Sequence, residues 1–237
     1  YFGDGVPGGG FEPDWWYDGK RYAEDIGSDM FRVYRTAGTA DELRRAGFDE
    51  SMMWAHRVSA RAVDFLDRVG DEPFYLAVSY DEPHGPFVAP PEYWEKFSGE
   101  EIPEPANFFA SADGKTALAQ LHRAEYLQKL GGTVPDWRSF VSEQSRLRWL
   151  GCNSYVDREI GRVLDAVDAR HADDTLVVYT SDHGDHFGSH GLTGKGPSMY
   201  GETTRIPLII RPPRPAAGKN AIAGRVSEAV VSHIDVV

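Results

Sequence analysis

The sequence predicts an α/β fold, a mixed, mostly parallel sheet sandwiched by helices. Apolar runs rich in strand formers stand at 73–80, 175–180 and 206–210. Long segments with apolar residues at three- and four-residue steps alternate with them, and glycine and proline punctuate the junctions. Strand, helix and strand in alternation lead to a sheet covered by helices.

The elements follow in order. Residues 1–13 hold several glycines and two prolines without a period and read as an irregular surface segment. Trp15-Trp16-Tyr17, with Tyr22 and Ile26, either packs one face of a short helix or forms an aromatic lid, and core packing is the preferred use of clustered aromatics. Residues 1–48 are therefore read as an irregular, aromatic segment and 49–237 as the core. The spacing of Met53, His56, Val58, Ala62, Phe65, Leu66 and Val69 predicts a helix over 49–69, started by Glu50 and Ser51 and ended by Gly70. Pro73-Phe-Tyr-Leu-Ala-Val-Ser-Tyr80 reads as a strand buried on both faces. Residues 88–116 are proline-rich, with a short helical turn at 92–97, and 116–130 returns to a helical pattern. A long amphipathic helix is expected over 141–169. Strands are expected at 175–180 and 206–210, with a weaker one at 226–231.

Composition narrows the function classes. Hydrophobic residues make up 41% and charged residues 26%, enough apolar content for a real core. With 25 Lys+Arg against 37 Asp+Glu the net charge is −12, which offers no general footprint for nucleic acid or anionic lipid. No apolar run approaches the roughly 18 residues of a spanning helix, so no membrane insertion is expected. The single cysteine, Cys152, excludes an intrachain disulfide and a zinc site of several thiolates. The compartment stays open, bacterial periplasm and cytoplasm both fitting. Because the chain starts at Tyr1 and stops after Ile234-Asp-Val, it is expected to be an internal fragment of a larger domain.

The richest chemistry lies in Ser181-Asp-His-Gly-Asp-His-Phe-Gly-Ser-His-Gly191, just past the 175–180 strand. Ligands of open α/β sheets bind beyond the carboxyl ends of strands. Adjacent Asp182 and His183 offer a carboxylate oxygen and an imidazole nitrogen to one cation. The plainer alternative, a polar loop in which Asp182 caps a helix, is the weaker one at this density of His and Asp. Gly191-Leu-Thr-Gly-Lys-Gly-Pro197 lacks the spacing and the Ser/Thr of a phosphate-binding P-loop. Lys195 within it can still reach an anion as a point charge, with a solvated surface lysine as the equal alternative. His84, in Asp81-Glu-Pro-His-Gly-Pro-Phe87, sits on a second strand-end loop, where an imidazole can bind an anion or move a proton. Cys152, inside the predicted 141–169 helix, reads as a packed, inert thiol.

These strings, together with Tyr155-Val-Asp-Arg-Glu-Ile-Gly161, Arg205-Ile-Pro-Leu-Ile209 and Ser232-His-Ile-Asp235, resemble in order the formylglycine-dependent sulfatases of the alkaline-phosphatase superfamily. The resemblance implies sulfate-ester hydrolysis, with Asp182 and His183 on a divalent metal and His84 and Lys195 on the sulfate group. The substrate it implies is a sulfated small molecule or carbohydrate. Calcium is the ion it implies; His183, where many members have Asn, keeps manganese and zinc open. The nucleophile implied is a formylglycine made in a Cys/Ser-x-Pro-x-Arg motif. No such motif occurs here, since Cys152 is followed by Asn153-Ser154-Tyr155, and the family's other metal aspartates and Gly-Lys-Trp-His lysine and histidine are absent as well. The isolated chain is thus expected to be inactive. Asp182-His183 also occurs in phosphonate monoester hydrolases, which makes phosphonate or phosphodiester hydrolysis the second reading. A non-catalytic binding module using the aromatic face around Trp15-Trp16 is the third.

Overall fold

The structure, a computed structural model, describes residues 17–214 and 224–236. The expectations for 1–13 and for Trp15-Trp16 lie outside these residues. The core is a helical layer of α4 (Trp54–Arg68) against α8 (Glu143–Arg170). Both match the long helices expected from periodicity. Small residues let the two axes approach: Ala55, Ser59 and Ala62 of α4 are buried, and the Ser59 hydroxyl donates to the Glu159 carbonyl at 3.1 Å and pairs with the Tyr80 hydroxyl at 2.9 Å. Around that crossing Leu66, Val163, Ala166 and Val167 form one cluster, and Leu43, Met53, Val88, Trp94, Cys152 and Tyr155 a second. Ser142 caps α8 by accepting the Ser145 N–H.

Helices α1 (Gly19–Ile26), α2 (Ser28–Thr36) and α3 (Ala40–Arg45) occupy part of the stretch expected to be irregular. They are short; α1 and α3 are capped by side chains, Asp18 accepting from the Arg21 N–H and Thr39 from the Glu42 N–H, while α2 starts at Gly27 without a side-chain cap. In α3 acidic residues open the helix and arginines close it, as the helix dipole favours. Tyr22 is buried edge-on against Trp54, and its hydroxyl donates to the Met52 carbonyl at 2.6 Å, so this aromatic packs into the core. Helices α5 (Pro91–Glu95) and α6 (Ala117–Lys129) fall where short and long helical turns were expected, followed by the single turn α7 (Trp137–Phe140).

The α/β class expected from the sequence is present in incomplete form, and the strand pair among the described residues is antiparallel. Strand β1 (Val177–Thr180) pairs antiparallel with β2 (Leu208–Arg211), Val178 opposite Ile210 and Tyr179 opposite Ile209; no parallel pair occurs among the described residues. The long loop between the strands, holding only the one-turn helix α9 (Gly201–Thr204) and a 3-10 turn, turns the chain back instead of crossing over with a full helix. Residues 73–80 are extended but pair with no strand among the described residues. Instead of being buried on both faces, the run alternates: Phe74, Leu76 and Val78 pack on the α4–α8 cluster, while Tyr75 is exposed. Residues 226–231 form no strand and are exposed, and a 3-10 turn follows at His233–Val236. No helix among the described residues is long and apolar enough to cross a membrane.

Candidate metal and anion site

The loop after β1 carries the site, and the protein divides its polar residues into two groups. Asp182 and His183 face outward, with the Asp182 side chain 83% exposed. The Ser181 hydroxyl donates to the His183 carbonyl at 2.9 Å, and the His183 N–H to Asp182 Oδ1 at 2.8 Å. His183 Nδ1 lies 2.8 Å from the Gly184 carbonyl, an acceptor only, so Nδ1 is the donor and, in the neutral ring, Nε2 carries the lone pair. That Nε2 is 3.3 Å from Asp182 Oδ2. Two donors about 2.1–2.4 Å from one ion, seen at roughly a right angle, are separated by about that distance. The pair therefore fits a divalent cation. Gly184 is required next to it: its N–H donates to the Thr203 carbonyl at 3.0 Å, and a Cβ there would overlap the Glu202 carbonyl oxygen.

Asp185, His186 and His190 turn inward and build the loop. Asp185 Oδ1 accepts the N–H groups of Phe187 at 2.7 Å and Gly194 at 3.1 Å, an Asx turn legible in principle from sequence. His186 is buried; burial, and next the charge of His122, push its pKa down. His190 stacks on Tyr200 with ring centroids 3.8 Å apart and lies 3.4 Å from Glu202 Oε1. Glu202 in turn accepts from the Asn107 side chain at 2.8 Å. Phe187 stacks on Trp149 of α8, which anchors the loop to the core. Lys195 is exposed.

His84 is exposed on its own loop, Nδ1 2.8 Å from the Gly85 carbonyl, so here too Nε2 is the open nitrogen. Among the described residues no hydrogen bond or ion pair joins His84 or Lys195 to Asp182 or His183; His84 stands on the 81–87 loop and the other three on the loop after β1. Two residues before His84, Glu82 is buried and its Oε1 accepts the Ala55 N–H at the start of α4 at 3.0 Å. Burial pushes this carboxyl from 4.5 up to about 7, against the Ala55 bond, with the charges of Asp81 and Glu159 adding to the rise. The folded protein thus holds a proton that the unfolded chain releases above about 4.5, so stability falls as pH rises from there to about 7, by on the order of 3 kcal/mol. Glu82→Gln keeps an acceptor for Ala55 and removes the titration. Denaturant midpoints at pH 5 and pH 7.5 should then draw together relative to wild type; an unchanged gap would assign the slope to another group.

A second donor set, Glu50, His56 and Glu159, has ligand atoms within 4.8 Å of one another. Its charges are already matched. Arg158 pairs with Glu50 and, at 3.3 Å, with Glu159, while Arg162 donates to Glu159 Oε2 at 2.5 Å and to His56 Nδ1 at 3.3 Å. Two guanidiniums on two carboxylates leave no negative charge for a dication. Cys152 is fully buried in α8 with its thiol pushed well up by burial, the inert thiol expected from sequence.

With this geometry in view, the comparisons with known proteins are specific. The chain is 37% identical over 238 residues to the uncharacterized sulfatase YidJ of Escherichia coli, covering 99% of this chain and 45% of YidJ. It is 31% identical to the multifunctional alkaline phosphatase superfamily protein PehA of Trinickia caryophylli, over 74% of this chain and 35% of PehA. Among solved structures, the phosphonate monoester hydrolase SpPMH from Silicibacter pomeroyi superposes with a TM-score of 0.56 at 25% identity, over 85% of this chain and 41% of that one. The chain thus spans less than half the length of these relatives, and its fold is an incomplete representative of theirs. The family model described as Sulfatase matches residues 4–237, and the chain belongs to that family.

Proposed function

We propose that the protein hydrolyses sulfate esters of a small molecule or carbohydrate, with one divalent metal held in part by Asp182 and His183. The observation that carries this is the outward-facing Oδ2–Nε2 pair at 3.3 Å beside the end of β1. When bound, the metal supplies Lewis acidity and offsets charge on the sulfate oxygens. Calcium is the proposed ion, with manganese or zinc as alternatives because one of the two donors is an imidazole. Gly184 and Ser181 fix the direction of both donors before any ligand arrives. Lys195 holds a sulfate oxygen as an exposed ammonium. His84 does so through Nε2, and because Nδ1–H is engaged by Gly85, Nε2 can donate only from the imidazolium, so an anion bound there is met by a positive charge. The nucleophile in this reading is a formylglycine outside these 237 residues, and the isolated chain is inactive.

A second reading, phosphonate monoester or phosphodiester hydrolysis, is favoured by the Asp182-His183 pair and by the likeness to phosphonate monoester hydrolases. Matched 4-nitrophenyl sulfate and 4-nitrophenyl phenylphosphonate separate the two. A higher kcat/KM of the whole protein on the sulfate is expected; a preference for the phosphonate overturns the first reading in favour of the second.

A further inference from the structure

We propose that His122 of α6 is a positioning residue that holds Lys195 toward the bound anion, acting through the Ser198 hydroxyl. The inference rests on the reading of Lys195 as an anion contact. Ser198 is buried, and its Oγ lies 3.2 Å from His122 Nδ1 and 3.2 Å from His186 Nε2. A hydroxyl has one proton, so it donates to one imidazole and accepts from the other. Among the described residues His186 Nδ1 is buried without a partner, and an orphaned N–H is rarer than an unused lone pair. The proton of His186 therefore sits on Nε2, and the chain runs from His186 Nε2–H to Ser198 Oγ, then from the Ser198 O–H to His122 Nδ1.

Lys195 sits between the two ends of this chain. On one side the His186 backbone N–H donates to the Gly194 carbonyl at 2.8 Å, and the Gly194 backbone N–H donates to Asp185 Oδ1. On the other, Gly196 lies so close to the His122 ring that a Cβ would overlap it. Two more residues of α6 grip the same loop: Arg123 donates to the Gly191 carbonyl at 2.7 Å, and the Tyr126 hydroxyl meets Thr193 Oγ1 at 2.5 Å. Helix α6 leaves Leu118 and Leu121 exposed and meets the loop through His122, Arg123 and Tyr126. Both flanks of Lys195 are fixed while its side chain stays open, which is how a flexible lysine is made to meet an anion at low entropic cost.

The test uses the whole protein, reductively methylated with 13C so that each lysine gives an NMR signal, Lys195 being assigned with Lys195→Arg. The variants are His122→Ala, His122→Phe, His122→Asn and Lys195→Ala. Phe keeps the ring against Gly196 without an acceptor, and Asn keeps an acceptor near Nδ1. His122→Ala and His122→Phe should raise KM for 4-nitrophenyl sulfate about ten-fold with kcat within about two-fold, the pattern of lost uniform binding. The Lys195 signal should shift in both, and His122→Asn should restore KM and signal together. Should His122→Ala not fold, Ser198→Ala applies the same test without altering the ring. Unchanged KM and an unmoved Lys195 signal in the His122 variants, with KM raised in Lys195→Ala, would overturn this inference alone. An unchanged KM in Lys195→Ala would overturn the anion-contact reading, and this inference with it.

Discussion

Asp182→Ala is expected to strip the divalent metal from the whole protein and to lower kcat/KM on sulfate esters by about a thousand-fold or more, since Lewis-acid stabilisation is worth several kcal/mol and each 1.4 kcal/mol is a factor of ten. In the proposed site the side chain offers Oδ2 to the metal, and through Oδ1 it accepts the His183 N–H. Removing it costs a ligand and loosens the neighbouring one. Asp182→Asn separates these effects, because the amide oxygen still accepts from His183 but carries no charge. It should keep the fold and lose most of the metal. Elemental analysis of the dialysed protein beside kcat/KM reads both; a full complement of metal in Asp182→Ala would place the ion elsewhere. Neither substitution should alter stability by more than about 0.5 kcal/mol in the metal-free protein, because the side chain is solvated.

How much of this was legible in the sequence depends on what each feature rests on. Helices α4 and α8 are written in their own periodicity, because the face that packs at their crossing recurs along each. Strand β1 and strand β2 are legible as apolar runs, but their antiparallel pairing is not, since a local run carries no sign of the direction of its neighbour. Residues 73–80 show the same limit: the run has the composition of a buried strand, while burial of alternate side chains is decided by what lies on the other face. Helices α1 to α3 are short; the capping residues Asp18 and Thr39 announce α1 and α3, and no side-chain cap announces α2.

The site divides in the same way. The density of His and Asp after β1 marks the loop, yet composition cannot say that Asp182 and His183 point out while Asp185, His186 and His190 point in. What decides is the hydrogen bonding of each backbone, above all the two N–H groups gathered by Asp185. His122 has no local signal at all, because its role comes from a partner 76 residues away. Glu82 is similar: nothing near it in sequence tells that the start of α4 will meet its carboxylate.

The largest effect on stability is expected from Glu159→Ala. Glu159 is fully buried at the α4–α8 crossing and takes a hydrogen bond from Arg162 and an ion pair from Arg158. Breaking a buried pair by removing one partner costs roughly 3–5 kcal/mol, since the surviving charge stays behind uncompensated. Here the surviving arginines are partly exposed, 45% and 32%, and can turn toward water, which draws the expectation to about 3 kcal/mol. Glu159→Gln should fall between, keeping an acceptor for Arg162 but losing the charge. Urea unfolding at neutral pH measures both. The same experiment separates this cluster from the metal site. If Glu50, His56 and Glu159 held a cation, a chelator would lower the wild-type midpoint and leave Glu159→Ala unmoved. With the carboxylates already matched by guanidiniums, any chelator effect should instead vanish in Asp182→Ala and persist in Glu159→Ala.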